Sequence, residues 1–248
     1  MKRSLNGLTG FTLQAIDGEI GRCKDFLFDD RDWVVRYMVA DTHKWLPGGR
    51  KVVISPVSLG TPDWPENHLP VNLTRERIEN CPPLEEHTTV SRQYEINLFN
   101  YYGYGYYWMG PEVWGPSPYP TTLMDIDRKP EFTHDMPGEN HLRSANEIHG
   151  YHIQASNGQI GHVDDFVLND GTWAIDYLII DTRNWLPGGQ KVLISPKSVT
   201  EIDWAENKVF VDLNEEVIKN SPSFTLDTHD GSIAMENEEE PLRRSLHH

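Results

Sequence analysis

The stretch Asp41 to Pro56, DTHKWLPGGRKVVISP, returns as Asp181 to Pro196, DTRNWLPGGQKVLISP, and this repetition constrains the fold more than any other feature. At the same offset Arg3 to Pro82 aligns with Arg143 to Pro222 without a gap, and about 37 of roughly 80 aligned positions are identical. A period of that length is too long for a solenoid unit and fits one small domain copied once. The expected organisation is a first domain over 1–82, a linker over 83–140, a second domain over 141–222 and an acidic, disordered tail over 223–248.

Inside the first copy, Phe11 to Ile16 alternates apolar and polar residues and is followed by Asp17-Gly18, a hairpin signal. Ile20 to Phe28 reads as the returning strand. Trp33 to Ala40 is a nearly continuous apolar run, expected to be the central strand. Pro47 and Gly48-Gly49 force a loop that presents Trp45 and Leu46, and Lys51 to Ser55 and Leu69 to Leu73 supply further short strands. Thr74 caps a brief helix over Arg75 to Asn80 that ends before Pro82. The same signals recur at Tyr151, Trp173, Lys191 and Val209, with Asn214 as the cap, and Ser144 to Ile148 suits one helical turn. So many short strands in each copy point to an all-β fold of two small barrels in tandem.

With 22 Lys plus Arg against 38 Asp plus Glu the formal charge is −16, which repels phosphate backbones, so nucleic acid is not an expected partner. The copies differ in this respect: residues 10–82 hold nine basic and eleven acidic residues, whereas 150–222 hold five and eleven. Cys23 and Cys81 are replaced by Val163 and Ser221, so the fold requires neither thiol and no disulfide framework is expected. Cys23 reads as a small buried hydrophobe. No apolar run reaches bilayer length and the first residues lack a signal-peptide core, so the expectation is a soluble, cytoplasmic protein with no transmembrane segment.

Between the copies, Tyr94 to Tyr119 collects Tyr101, Tyr102, Tyr104, Tyr106, Tyr107, Trp108 and Trp114 among Gly and Pro. The absence of strand periodicity argues for irregular structure. Two readings stay open: a partly disordered linker, or an aromatic strap lying across a barrel or a partner.

Each copy, through Gly18-Glu19-Ile20-Gly21, Asp25-Phe26, Trp33 to Asp41 and Val52 to Pro56, resembles the PRC-barrel domain. That is the β-barrel in the cytoplasmic part of the heavy subunit of the photosynthetic reaction centre, also found as the C-terminal domain of the ribosome-maturation factor family. The matching run in the second copy is Gly158-Gln159-Ile160-Gly161, Asp165-Phe166, Trp173 to Asp181 and Leu193 to Pro196. The resemblance covers residues 10–73 and 150–213, and implies an all-β interaction and assembly module with no shared catalytic set. The chain looks most like the stand-alone tandem members.

Among groups capable of chemistry, only Asp25/Asp165, Asp41/Asp181 and Lys51/Lys191 are repeated, and Asp at a strand end commonly accepts amides of the following turn. No catalytic residue is therefore assigned. His134, His141, His149 and His152, near Asp135 and Glu139, lack helical ligand spacing and are not repeated, so neither a metal nor a cofactor is expected. The candidate partner-binding residues are Trp45, Leu46, Trp185 and Leu186 of the repeated loops, with Tyr106, Trp108 and Trp114 of the aromatic stretch. The resulting reading is a non-enzymatic scaffold that binds a protein partner, its copies packed as a pseudo-dimer. The alternative is a small-ligand or redox-cofactor binding protein, linked to electron transport, whose aromatic linker stacks a planar group.

Overall fold

The computed structural model describes residues 1–43, 45–46, 51–84, 90–121, 141–183, 185, 189–221, 224–227 and 229–235. In the first repeat the elements are β1 (Lys2–Ser4), β2 (Thr12–Ala15), β3 (Gly18–Asp29), β4 (Val34–Asp41), β5 (Val52–Ile54), β6 (His68–Val71) and the helix α1 (Arg75–Glu79). A second helix, α2 (Arg92–Tyr102), lies between the repeats. The second repeat contributes β7 (Leu142–Ser144), α3 (Ala145–Ile148), β8 (His152–Ala155), β9 (Gly158–Asn169), β10 (Ile175–Asp181), β11 (Lys191–Ile194), β12 (Val199–Asp203), β13 (Lys208–Val211) and α4 (Glu215–Lys219). A hairpin of β14 (Phe224–Leu226) and β15 (Ile233–Met235) follows.

Two compact units result, and they cut across the repeats. Unit 1 comprises Met1–Gly7, Glu147–Asn169 and Ile175–His248, and unit 2 comprises Leu8–Asn146 and Asp170–Ala174. Each repeat therefore lends its N-terminal arm to the unit built on the other repeat. In unit 1, β1 pairs antiparallel with β9, Lys2 opposite Asn169 and Ser4 opposite Val167. In unit 2, β7 pairs antiparallel with β3, Leu142 opposite Asp29 and Ser144 opposite Leu27. The tip of the second repeat's β9–β10 hairpin also belongs to unit 2, where Val35 N–H donates to the Trp173 carbonyl and Trp173 packs against Phe26.

The sheet order in unit 2 is β5-β4-β3-β2-β6, and in unit 1 it is β11-β10-β9-β8-β13-β12. The first and last strands of these orders are not ladder-paired, so hydrogen bonding leaves both sheets open. In unit 2 the chain leaves β5 through a 3₁₀ turn at Pro56–Ser58, and Leu59 then forms a single bridge to Val71 of β6. The fold is mostly β, as expected. The central strand is β3 and not the Trp33–Ala40 run: β4 is buried from Val34 to Ala40 because its outer face is covered.

Two further expectations change. Helix α2 occupies the start of the stretch read as irregular, capped by Ser91, whose Oγ accepts the Tyr94 N–H, and ended by Gly103 in a left-handed conformation. Its buried residues Tyr94, Glu95, Leu98, Phe99 and Tyr102 form a stripe of helical period that a carboxylate disguises. The tail read as a disordered extension forms the β14–β15 hairpin, and Ile233 packs with Val167, Ile179 and Leu193 on the unit 1 sheet. Residues 236–248, including Glu238-Glu239-Glu240, lie outside the described residues.

The preserved Gly21 and Gly161 have a steric cause. At φ +124° and +146° a Cβ would meet the carbonyl oxygens of Asp41 and Asp181 at 1.9 and 2.4 Å.

Candidate functional site

Two β-bulges in the β3–β4 pairing, and two in the β9–β10 pairing, decide what each sheet presents. Along β3 and β4, Cys23 pairs with Ala40 and Asp25 with Val39, so Lys24 is the extra residue. Further along, Leu27 pairs with Tyr37 and Phe28 with Val35, so Arg36 is extra. The same shifts recur in β9 and β10 at Asp164 and Asp176. A bulge re-aims its extra side chain, and here both bulges exchange a cation in the first repeat for an Asp in the second. Those two reversals are worth four charges, the difference between the repeats.

Because Arg36 is bulged, it and Tyr37 both reach the aromatic segment. The Arg36 guanidinium is 1% exposed, 3.9 Å from the Tyr107 ring centroid and 5.1 Å from that of Trp114. It donates to the Val113 carbonyl and to Asp32 at 2.8 Å. Beside it, the buried carboxylate of Glu95 accepts from Tyr37 Oη at 2.9 Å and Tyr107 Oη at 2.8 Å on one oxygen, while Arg92 pairs with the other at 2.9 Å. Burial raises the Glu95 carboxyl above its ordinary range, against the pull of Arg92 and the two phenols. Burial likewise pushes the Tyr37 phenol up. Tyr104 bonds Ser58 and its phenol is pushed up to about 12, again by burial.

Over this polar centre lies an outer aromatic layer. Tyr106 stacks on Phe99 at 6.2 Å and meets Trp108 at 4.9 Å, and the Arg92 guanidinium sits 4.1 Å from the Trp108 ring centroid. Tyr106 and Trp108 are half-buried, and Tyr101, Met109 and Tyr119 are exposed. Trp114, by contrast, is buried, and its Nε1 donates to the Thr172 carbonyl at 2.7 Å. Of the three aromatic candidates, Tyr106 and Trp108 have surface to offer and Trp114 holds the unit together.

The repeated loops are divided in the same way. Leu46 is buried, Trp45 is half-buried with Arg75 over its ring at 5.2 Å, and Trp185 is 38% exposed with His152 at its edge. The Arg75 position is Glu215 in the second repeat, which removes the cation from over that Trp. Leu186 lies outside the described residues, as do Pro47–Gly49 and Pro187–Gly188.

The repeated carboxylates hold structure. Asp25 and Asp165 sit mid-strand beside a bulge and not at a strand end, and the donors they bind come from the arms. Ser144 Oγ donates to Asp25 at 2.6 Å and Asn146 N–H at 3.1 Å, and Ser4 Oγ donates to Asp165 at 2.5 Å and Asn6 N–H at 2.9 Å. Burial raises both carboxyls, opposed by these donors. Asp41 and Asp181 do end strands and accept the amides of His43 and Arg183. The Arg183 guanidinium holds the Asp181 carboxyl down to about 2.

His162, Asp164 and Asp181 place ligand-type atoms within 4.8 Å of one another, but Lys191 pairs with Asp164 at 2.6 Å and Arg183 with Asp181. Arg22 and Lys24 occupy the first two of these positions in the first repeat. Of the histidines weighed as ligands, His141 bonds Asp30 at 3.0 Å, His149 is exposed, His152 packs on Trp185, and His134 with Asp135 and Glu139 lies outside the described residues. No helix among the described residues is long and apolar enough to cross a membrane.

Sequence reasoning passed over Arg36, Tyr37, Arg92 and Glu95. The available signal was a cation inside the otherwise apolar Trp33–Ala40 run and an anion inside an aromatic one. Compared with known proteins, the chain matches no protein-family model and no curated protein.

Proposed function

We propose that this chain is a non-enzymatic assembly scaffold made of two PRC-barrel-like repeats, and that it holds a protein partner on the outer aromatic face of unit 2. The observation that carries this reading is the Tyr106–Trp108 pair with Arg92 against it, bordered by exposed Tyr101 and Met109. Aromatic residues and Arg are the side chains enriched where interface energy concentrates. Beneath them Phe99 and the Glu95 cluster fix the rings in place, so little rotamer freedom remains to be lost on binding. The repeated carboxylates support a structural role, since arms, turns or cations already engage them.

Trp108→Ala tests the assignment. Expected is a loss of about 2 kcal/mol or more in affinity for the partner captured from the native cell by the full chain, with a smaller change in unfolding free energy, because Trp108 is half-exposed. Undiminished capture by Trp108→Ala and Tyr106→Ala chains of native stability would move the binding surface elsewhere.

A further inference from the structure

The arms that the two repeats exchange are held by one and the same set of contacts. Arg3-Ser4-Leu5-Asn6 and Arg143-Ser144-Ala145-Asn146 each enter as a short antiparallel strand and then turn helical, at Asn6–Leu8 and Ala145–Ile148. In both, the Ser hydroxyl and the Asn backbone N–H bind an Asp, buried at Asp165 and half-buried at Asp25, which also accepts the N–H of the Phe that follows it. In both, the Asn side chain donates to the carbonyl of the bulged residue before that Asp: Asn6 Nδ2 to Asp164 at 3.0 Å and Asn146 Nδ2 to Lys24 at 2.8 Å. Because the last contact is to backbone, the charge reversal at this bulge leaves the docking intact. The apolar residue between Ser and Asn is buried in each case, Leu5 completely and Ala145 at 2% exposure.

Neither arm docks on its own repeat, so a site is matched to its arm by sequence and register and not by adjacency in the chain. A strand edge that reads a short segment through main-chain ladders, one carboxylate and one carbonyl is a β-augmentation site. Two such sites in one chain, each fitting a segment that every copy carries twice, are the ingredients of exchange between chains.

We propose that the edges of β3 and β9 are docking sites for an Arg-Ser-(apolar)-Asn segment, filled within one chain by the opposite repeat's arm and able to take the same segment from a second copy of this chain. The inference is independent of the aromatic face: it uses neither Trp108 nor α2. The Ser hydroxyl on Asp165 and the Asn side chain on the Asp164 carbonyl distinguish this occupant from an unrelated peptide.

The probe is a fluorescent peptide of residues 1–7 added to a full-length Ser4→Ala/Asn6→Ala chain, whose own arm has lost its side-chain contacts. Anisotropy is expected to rise with the native peptide and to require at least about tenfold more of a peptide carrying the same two substitutions, the loss of two hydrogen bonds to a buried site. Equal binding of the two peptides, or binding of neither, to a chain with native circular dichroism overturns the proposal. Should that variant fail to fold, donor- and acceptor-labelled wild-type chains are mixed at high concentration, warmed to just below unfolding and cooled. Energy transfer that excess native peptide suppresses supports exchange between copies, and its absence overturns it.

Discussion

Units 1 and 2 carry equivalent sheets, one strand longer in unit 1, under different covers. In unit 1 the outer face at Val167, Ile179 and Leu193 is covered by the β14–β15 hairpin through Ile233, with Phe224 and Met235 at its edge, an apolar and shallow contact. In unit 2 the equivalent Leu27, Val39 and Val53 are buried, and Tyr37 beside them packs on Phe99 and bonds Glu95 of α2. The covers share no sequence, and each is the segment that follows its own repeat. A bare apolar sheet face must be buried against something, but what covers it is selected by the polar groups the sheet presents. Arg36 calls for π-faces and a carboxylate nearby, and Asp176 at the same bulge cannot use them. The more elaborate cover is also the one that places aromatic rings outward, so the residue that distinguishes the units lies under the proposed interface.

Exchanging the bulge residues strikes hardest at this account. Arg36→Asp puts a third carboxylate beside Asp29 and Asp32 and takes the cation away from the Tyr107 and Trp114 rings, so unit 2 should lose about 3–5 kcal/mol, the scale for breaking a buried ion pair. Asp176→Arg in unit 1, at a half-buried site, should cost under about 1 kcal/mol. Denaturant unfolding followed by tryptophan fluorescence compares them. Equal losses would mean that the bulge charge does not select the cover.

Much of this architecture is legible in the sequence, and the missing part has a physical cause. Strands, the brief helices after Thr74 and Asn214 and the single turn at Ala145–Ile148 follow from local periodicity and capping residues, and the structure has them. The arm exchange is not legible, because Ser4 and Ser144 fit either Asp equally well and the choice depends on chain connection in three dimensions. The aromatic cover escaped because its helix buries Glu95, which breaks the apolar stripe, and because its partner Arg36 is exposed to view only once the bulge is known. Among the candidate residues, pattern alone does not separate Trp114, which donates to a backbone carbonyl inside the unit, from Trp108, which faces outward in part.

A titration sharpens the comparison, because a carboxylate lies in one cover and the apolar cluster beneath the other contains none. With its folded pKa raised above the unfolded value, Glu95 takes up its proton in the folded state first as pH falls. The ionised form is then a cost to folding at neutral pH that is relieved as pH drops through the raised value toward the ordinary carboxylate range of about 4.3. Wild type should therefore gain stability relative to Glu95→Gln across that window, after a difference of about 1–2 kcal/mol at neutral pH from the weakened phenol and Arg92 contacts. Urea midpoints of both proteins at a series of pH values give the answer. A gap that narrows on acidification would mean that Arg92, Tyr37 and Tyr107 outweigh burial.

The smallest expected effect isolates one hydrogen bond on a residue the repeats share. Tyr37 and Tyr177 occupy the same position, but Tyr37 is fully buried with its hydroxyl donated to Glu95, whereas Tyr177 is half-buried at the edge of the hairpin cover with Lys2 Nζ 5.2 Å from its ring centroid. Tyr37→Phe removes one of two phenol donors from a buried carboxylate, so it should cost about 0.5–1.5 kcal/mol and push the Glu95 carboxyl still higher. Tyr177→Phe keeps the ring that Lys2 faces and should change stability by no more than a few tenths of a kcal/mol. Because the two units need not unfold together, native-state hydrogen exchange read separately at β4 and β10 is the suitable measure. The comparison predicts faster exchange at β4 in Tyr37→Phe and none at β10 in Tyr177→Phe. Matching responses would place the stabilising work in the shared sheet, and the two covers would then differ in composition without differing in what they contribute.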